Sequence, residues 1–428
     1  MGRRLIVQKY GGTSVASSEK ITAVARKVIA AKRQGSDVVV VVSAMGRTTD
    51  QLFGLARQVA EDPHRRELDL LLSTGEVAAV SLLAIAIRNL GVEAVALTGG
   101  QCGIVTNDVH TNARILRIHL DRLRRELARG AVVVVAGFQG ESPEGEITTL
   151  GRGGSDTTAT ALAAALGADA CQIFTDVDCV YSADPQLVPT AQPLLELSAD
   201  EMQEMAWHGA KVMKAEAVEF AKGNGVSFEI LSTFSGMPGS RIRVDAGQDV
   251  FVPRRPEVAG VSGRTDLLRL SFASAAASAA DRRDFFRQIS GYDLVFGRLE
   301  SAGGVFHLLL STLEIPNPDP FLKDLEARFA GAVSGAGGLG AVSLIGFGLG
   351  SRPAALVDAL EVLEDAGLEV FDSFTGRESL SFVIAASRMR EGILELHRSF
   401  VDDKLAISRW GGSPRFASSL LAPENSKM

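Results

Sequence analysis

The chain has 428 residues, 46% hydrophobic and 22% charged, with 44 Lys+Arg against 51 Asp+Glu. At roughly 100–200 residues per domain that length gives two to four domains, with ample apolar material for large cores. A formal charge of −7 with no basic block argues against a nucleic-acid partner, because neutralising a phosphate backbone takes clustered cations.

From the N-terminus, short β-rich runs over 5–9, 38–43, 92–97, 131–138, 168–175 and 226–231 alternate with helix-like stretches over 19–34, 49–61, 76–89, 120–128, 155–166 and 199–209. Continuous apolar strands between amphipathic helices predict an α/β domain over 1–240, with a mainly parallel central sheet covered by helices on both faces. Residues 241–260 hold Gly, Pro, Asp and Arg without a sustained period and read as a linker. Two units follow, over 261–337 and 338–410. Each runs strand, helix, strand, strand, helix, the order of a ferredoxin-like βαββαβ fold. The polar tail over 411–428 reads as frayed.

Four segments carry chemistry. Val7–Ser14 runs a strand into Gly11, Gly12, Thr13 and Ser14, with Lys9 at the strand end. The glycines let backbone N–H groups approach an anion, and a lysine there places a point charge on a phosphoryl group. A plain strand–helix turn with a surface lysine is the competing account. No GxxxxGK[ST] loop occurs. Thr148–Thr158 is almost all glycine, hydroxyl and charge, and it opens a helix whose free amides can bind anions. Within it Asp156 can organise the lysine, and Arg152 can clamp a carboxylate through two parallel hydrogen bonds; alternatively Ser155 or Asp156 is only a helix cap. Phe174-Thr175-Asp176-Val177-Asp178, with Tyr181 beyond, suits a nucleotide or an Asx-type turn. Leu72–Glu76 reads as a helix start, where Glu76 stays ionised and can meet an ammonium group, or serves as a capping-box acid.

Other features exclude more than they suggest. Gly335–Gly340 matches GxGxxG but precedes a strand, so it reads as a loop. Six histidines show no metal-ligand spacing, and no metal-binding residues are assigned. Three cysteines without Cys-x-x-Cys spacing fit a reducing, cytoplasmic setting. The first residues offer too short an apolar run for a secretion signal. The absence of about 18 consecutive apolar residues predicts no membrane span.

In order along the chain, QKYGGTSV, VVVSAMGRTTDQL, LLSTGE, VVVAGFQG, TTLGRGGSDTTA and FTDVDCVYSADP resemble the aspartate kinases of the amino-acid-kinase superfamily over nearly all of 1–240, and look closest to actinobacterial members. The two C-terminal units resemble that family's paired ACT domains, in which the strand after the linker commonly joins the second ACT fold. The resemblance implies phosphorylation of L-aspartate, or a close analogue, by ATP to 4-phospho-L-aspartate. It implies Lys9 and Asp156 as catalytic; Ser43, Thr49, Glu76, Arg152 and Ser155 against the substrate; and Gly11, Gly12, Thr13, Ser14, Thr175, Asp176, Tyr181 and Lys211 against the nucleotide. Mg²⁺ would lie between the phosphates, and ACT pairing would give a homodimer or larger homo-oligomer. Rival accounts are a kinase for another aspartate-like amino acid and a non-catalytic amino-acid sensor.

The chain also departs from the family pattern. Cys179 stands for a glycine, and Gln186 and Leu231 stand for arginines. The segment after Lys211 offers no arginine, with Lys214 as a partial substitute, so weakened ATP binding is expected. Ala273–Ala279 replaces an Asp-x-Pro-Gly turn, Gly350–Ala354 a Ser-His-Pro-Gly turn and Phe374–Glu378 a Ser-Thr-Ser-Glu run. Weak or absent inhibition by lysine and threonine is therefore expected.

Overall fold

The computed structural model describes residues 3–151, 153–244, 258–290, 294–299, 304–315 and 318–403. Two compact units emerge: Met1–Tyr181 with Gln192–Val252, and Ser182–Ala191 with Pro253–Met428.

The first unit is built on eight strands: β1 (Leu5–Tyr10), β2 (Asp37–Val42), β3 (Ala94–Leu97), β4 (Val132–Ala136), β5 (Ala170–Thr175), β6 (Glu196–Ser198), β7 (Phe228–Ser232) and β8 (Ser240–Arg243). Their order is β6-β8-β7-β5-β1-β2-β4-β3, parallel except at the β7–β8 pair. β2 and β4 are runs of valine because both their faces are covered. Val38, Val40 and Val42 pack with helices α1 (Ser18–Arg33) and α3 (Arg65–Asn89), and the alternate Val39 and Val41 are buried on the other face. Helix α4 (Gly154–Leu166) packs against β1, β2 and β5. A separate four-stranded sheet, in the order Ile115–Ile118, Ile104–Thr106, Gln139–Glu141, Ile147–Thr149, leads into the glycine-rich loop.

Helix α3 corrects the sequence reading. It starts at Arg65 rather than near Glu76, so Glu76 lies deep inside it. The apparent start signal dissolves because Ser73 and Thr74 donate back to the carbonyls of Leu70 and Leu71. Gly75 is retained for contact, since a Cβ there would stand 2.9 Å from the Ala44 Cβ. By length and composition α3 is apolar enough to cross a membrane. Its Ala79, Val80, Leu83, Ala84 and Ile87 belong to the core, and it carries buried Asp69 and Glu76.

The second unit has one antiparallel sheet of six strands: β9 (Gly260–Ala273), β10 (Leu294–Leu299), β11 (Val305–Ser311), β12 (Val333–Ile345), β13 (Asp372–Thr375) and β14 (Ser379–Ala385), ordered β10-β11-β9-β12-β14-β13. Strand β9 is shared. Its first residues, 260–264, pair with 341–345 of β12, and its later ones pair with both β11 and β12, with register shifts between. Gly335–Gly340, expected as a loop, lies inside β12. The glycines admit close backbone approach there: a Cβ on Gly335 or Gly340 would stand 2.8 Å from the Arg269 carbonyl or 2.7 Å from the Arg264 carbonyl.

Chain position assigned 182–191 to the N-terminal domain, but its packing puts it in the second unit. Ala183 and Val188 join the core formed by Val342, Leu344, Leu363 and Phe382. Ser182 Oγ lies 2.9 Å from His397 Nε2, Thr190 donates to Asp402, and the Val261 N–H donates to the Ser182 carbonyl.

Candidate active site

Parallel strands leave their C-terminal ends at one edge, and the chemistry gathers there. In β1 side chains alternate. Tyr10 turns into the α1/α3 core and stacks on Phe174 with ring centroids 4.7 Å apart. Lys9 faces the opposite side, where α4 begins, and its Nζ lies 2.6 Å from Asp156 Oδ1. The two side chains are only 11% and 10% exposed, so the pair is largely shielded from water. The sequence placed a lysine and a distant glycine-rich loop as candidates for one site, and the fold brings them into contact.

The glycines around this pair have steric reasons. A Cβ on Gly12 would stand 2.7 Å from the Ala44 carbonyl oxygen, and Gly46 N–H donates to the Gly12 carbonyl at 2.9 Å. The turn after β1 thus lies flat against the loop after β2, which carries Ser43 and leads to Thr49 in helix α2 (Thr48–Val59). Gly151 and Gly153 have φ of +74° and +76°, a region costly for other residues. Gly153 is the N-cap of α4 and offers no side-chain cap. Ser155 and Asp156 lie inside the first turn, so neither is the cap that the simpler account made of them. Arg152 lies outside the described residues.

Glu76 reaches the same edge. Its Oε1 accepts from the Ala44 N–H at 3.1 Å, while Oε2 has no hydrogen-bond partner among the described residues. The residue is 3% exposed, and burial pushes its carboxyl up to about 7, against the Ala44 hydrogen bond that pulls it down. The expectation that Glu76 stays ionised at a helix N-terminus is therefore corrected: it sits mid-helix, without the help of the N-terminal dipole.

On the β5 side, Thr175 donates to Asp176 at 3.1 Å, and its carbonyl accepts from Thr233 N–H. Thr13 is exposed, whereas Ser14 is fully buried with its Oγ 2.6 Å from Thr233 Oγ1, a tie between the turn after β1 and the residue that follows β7. Tyr181 pairs with Pro193, and Lys211 is exposed; among the described residues neither bonds to the Lys9–Asp156 cluster. Leu231 is partly buried at the periphery of the N-terminal core.

The sequence reading missed Asp69. This fully buried carboxylate (0% exposed) accepts from the Thr111 N–H at 3.0 Å and from Thr149 Oγ1 at 2.6 Å, and lies 2.8 Å from His110 Nδ1. Thr149 leads into the glycine loop, and Thr111 holds φ +68°, unusual for a β-branched residue. Asn112 follows, its Oδ1 3.2 Å from where a Gly151 Cβ would be. Asp69 and Glu76 stand two turns apart on α3, so one helix fixes both the loop's anchor and the carboxylate whose Oε2 is left without a partner among the described residues. An acid among Leu68, Leu70, Leu71 and Leu72 was the only signal in the sequence.

Known proteins share this arrangement of sequence and fold. The amino acid kinase family model matches residues 4–232. An aspartokinase of Geobacillus stearothermophilus is 41% identical over 401 residues, covering 92% of this chain and 97% of that protein. One from Mycolicibacterium smegmatis is 38% identical over 406 residues, covering 92% and 96%. These identities are nearly equal, so they show no leaning toward actinobacterial members. The structure of E. coli aspartokinase III with aspartate and ADP superposes with a TM-score of 0.79 at 23% identity, over 92% of this chain and 99% of that one, which is a likeness of fold. Family model, relatives and architecture agree, and the chain belongs to the amino acid kinase family, among its aspartokinases.

Proposed function

We propose that this chain transfers the terminal phosphoryl group of ATP to the side-chain carboxylate of L-aspartate, giving 4-phospho-L-aspartate and ADP. The observation that carries this reading is the shielded Lys9–Asp156 pair between two glycine turns. A carboxylate oxygen attacks the γ-phosphorus, the bond to the β,γ-bridging oxygen breaks, and its electrons leave with ADP. The acceptor is already ionised at pH 7, so no general base is needed. Catalysis is positioning and charge stabilisation. Lys9 stabilises the transferring group, and Asp156 holds the lysine in place. Glu76 receives the α-ammonium group, Arg152 the α-carboxylate, and Ser43, Thr49 and Ser155 line the acceptor pocket. Gly11, Gly12, Thr13, Thr175, Asp176, Tyr181 and Lys211 serve the nucleotide.

Among the described residues no group of three His, Cys, Asp or Glu side chains is placed to hold a metal, and Asp156 is engaged by Lys9. This fits Mg²⁺ carried by phosphate and water oxygens of the nucleotide. The test is a coupled ADP-release assay, with hydroxamate trapping of the acyl phosphate, across aspartate and its analogues. Aspartate should be the preferred acceptor; ADP release without a trappable acyl phosphate would overturn the reading.

The Glu76 carboxyl predicts a pH dependence. Raised to about 7 in the fold, it is neutral below that pH and cannot attract an ammonium. The kcat/KM for the acceptor should fall about tenfold per pH unit on the acid side of that value. Glu76→Gln should be weak at all pH and lose this limb. A profile unchanged in the variant would remove Glu76 from acceptor binding.

Regulation follows the same reading. Two ACT-like units pair in a homo-oligomer, with lysine and threonine inhibiting weakly or not at all. The second unit supports this. The Gly348 N–H donates to the buried Glu378 carboxylate, and a Cβ on Gly350 would collide with the Gly376 carbonyl oxygen, so this turn is closed by the chain's own groups. Titrating both amino acids against initial rate should leave the rate nearly unchanged; strong inhibition at low concentration would contradict it.

A further inference from the structure

The Lys9–Asp156 pair leaves a charge deficit in the proposed phosphate cradle. The lysine is offset by its own carboxylate at 2.6 Å, yet a nucleotide's phosphate tail carries several negative charges. The stem of a further lysine touches the glycine turn. Lys214 is the N-cap residue of helix α5 (Ala215–Gly223), which packs on α4. Its stem lies along the Gly153 turn: a Cβ built on Gly153 would stand 2.5, 2.1 and 3.4 Å from the Lys214 Cβ, Cγ and Cδ. Only glycine fits there, on grounds of space as well as φ. Lysine stems cover apolar surface in many proteins. Here the stem rests on the backbone of the Gly153 turn, and that turn opens the helix whose first turn carries Asp156. The residue is exposed, and no carboxylate among the described residues pairs with it.

We propose that Lys214 adds a positive charge to the cradle beside Lys9 and binds the phosphate tail of the nucleotide. The inference rests on the proposed nucleotide-dependent reaction and adds a residue to it. Lys9 acts at the transferring group, and Lys214 acts on binding. The cost of removing it should therefore appear in the nucleotide's affinity and not in the acceptor's.

The test uses the full chain and compares Lys214→Met, which keeps the stem, with Lys214→Arg, which keeps the charge. Lys214→Met should raise the KM for ATP and the Kd for ADP about tenfold, the range for a lost charged hydrogen bond. The KM for aspartate and the Kd for adenosine, which lacks phosphates, should be unchanged. Lys214→Arg should recover most of the ADP affinity. The proposal is overturned if Lys214→Met binds ADP within twofold of the unsubstituted chain, or if ADP and adenosine weaken equally, which marks a packing role. Calorimetric ADP binding needs no acceptor, so it reads Lys214 even if aspartate is not phosphorylated. Failure of the underlying reaction would show separately, in the unsubstituted chain.

Discussion

Lys9→Met is expected to reduce turnover by roughly 10³-fold or more, the scale on which single cations act in phosphoryl transfer. The acceptor brings its own negative charge, so the group that spreads charge away from the transferring phosphoryl carries most of the chemistry. Methionine keeps the length of the lysine stem and removes only the ammonium. The same substitution strands Asp156, 10% exposed, as an unpaired carboxylate. That should cost about 3–5 kcal/mol of stability, as for other broken buried pairs. Lys9→Met/Asp156→Asn separates the effects. Denaturant unfolding should show stability largely restored, while the coupled assay shows turnover still lost. Recovery of turnover in the double variant would mean that the lysine only holds the fold.

The second large effect is expected at Asp69. Asp69→Ala removes the acceptor of the Thr111 N–H and the Thr149 hydroxyl and leaves His110 Nδ1 without its carboxylate. At about 1–3 kcal/mol for each buried donor left unsatisfied, a loss of roughly 3–5 kcal/mol follows. Function should suffer as well, because the carboxylate ties α3 to the strand entering the glycine loop. The left-handed Thr111 supplies an internal check. Its conformation costs a β-branched residue on the order of 1–2 kcal/mol, which glycine avoids. Thr111→Gly in the Asp69→Ala background should recover part of the stability in urea unfolding. No recovery would mean that the backbone is not what Asp69 restrains.

What the sequence disclosed depended on how local each signal was. The valine runs at 37–42 and 132–136 were legible as central strands because double burial leaves no polar positions. The glycine loop around 151–154 was legible as a site because such a composition packs no core. The start of α3 was not, since Ser73-Thr74-Gly75-Glu76 imitates a cap when read alone, and its internal hydrogen bonds appear only in the folded helix. Asp69 was hidden because its partners lie 41 to 80 positions away. Gly335–Gly340 misled in the opposite sense: glycine served close strand packing rather than a turn. Arg152, central to the acceptor assignment, lies outside the described residues, so its place rests on the motif that contains it.

The excursion of 182–191 has a practical consequence for dividing the molecule. Cutting after residue 240 would yield a fragment still bearing Ala183 and Val188 with nothing left to cover them. The complementary fragment would lose two apolar residues from its interior and the hydroxyl that meets His397. Both halves should be poorly behaved in isolation. A better excision would replace 182–191 by a short hairpin turn joining Val180–Tyr181 to Pro193–Leu194, which already lie antiparallel side by side.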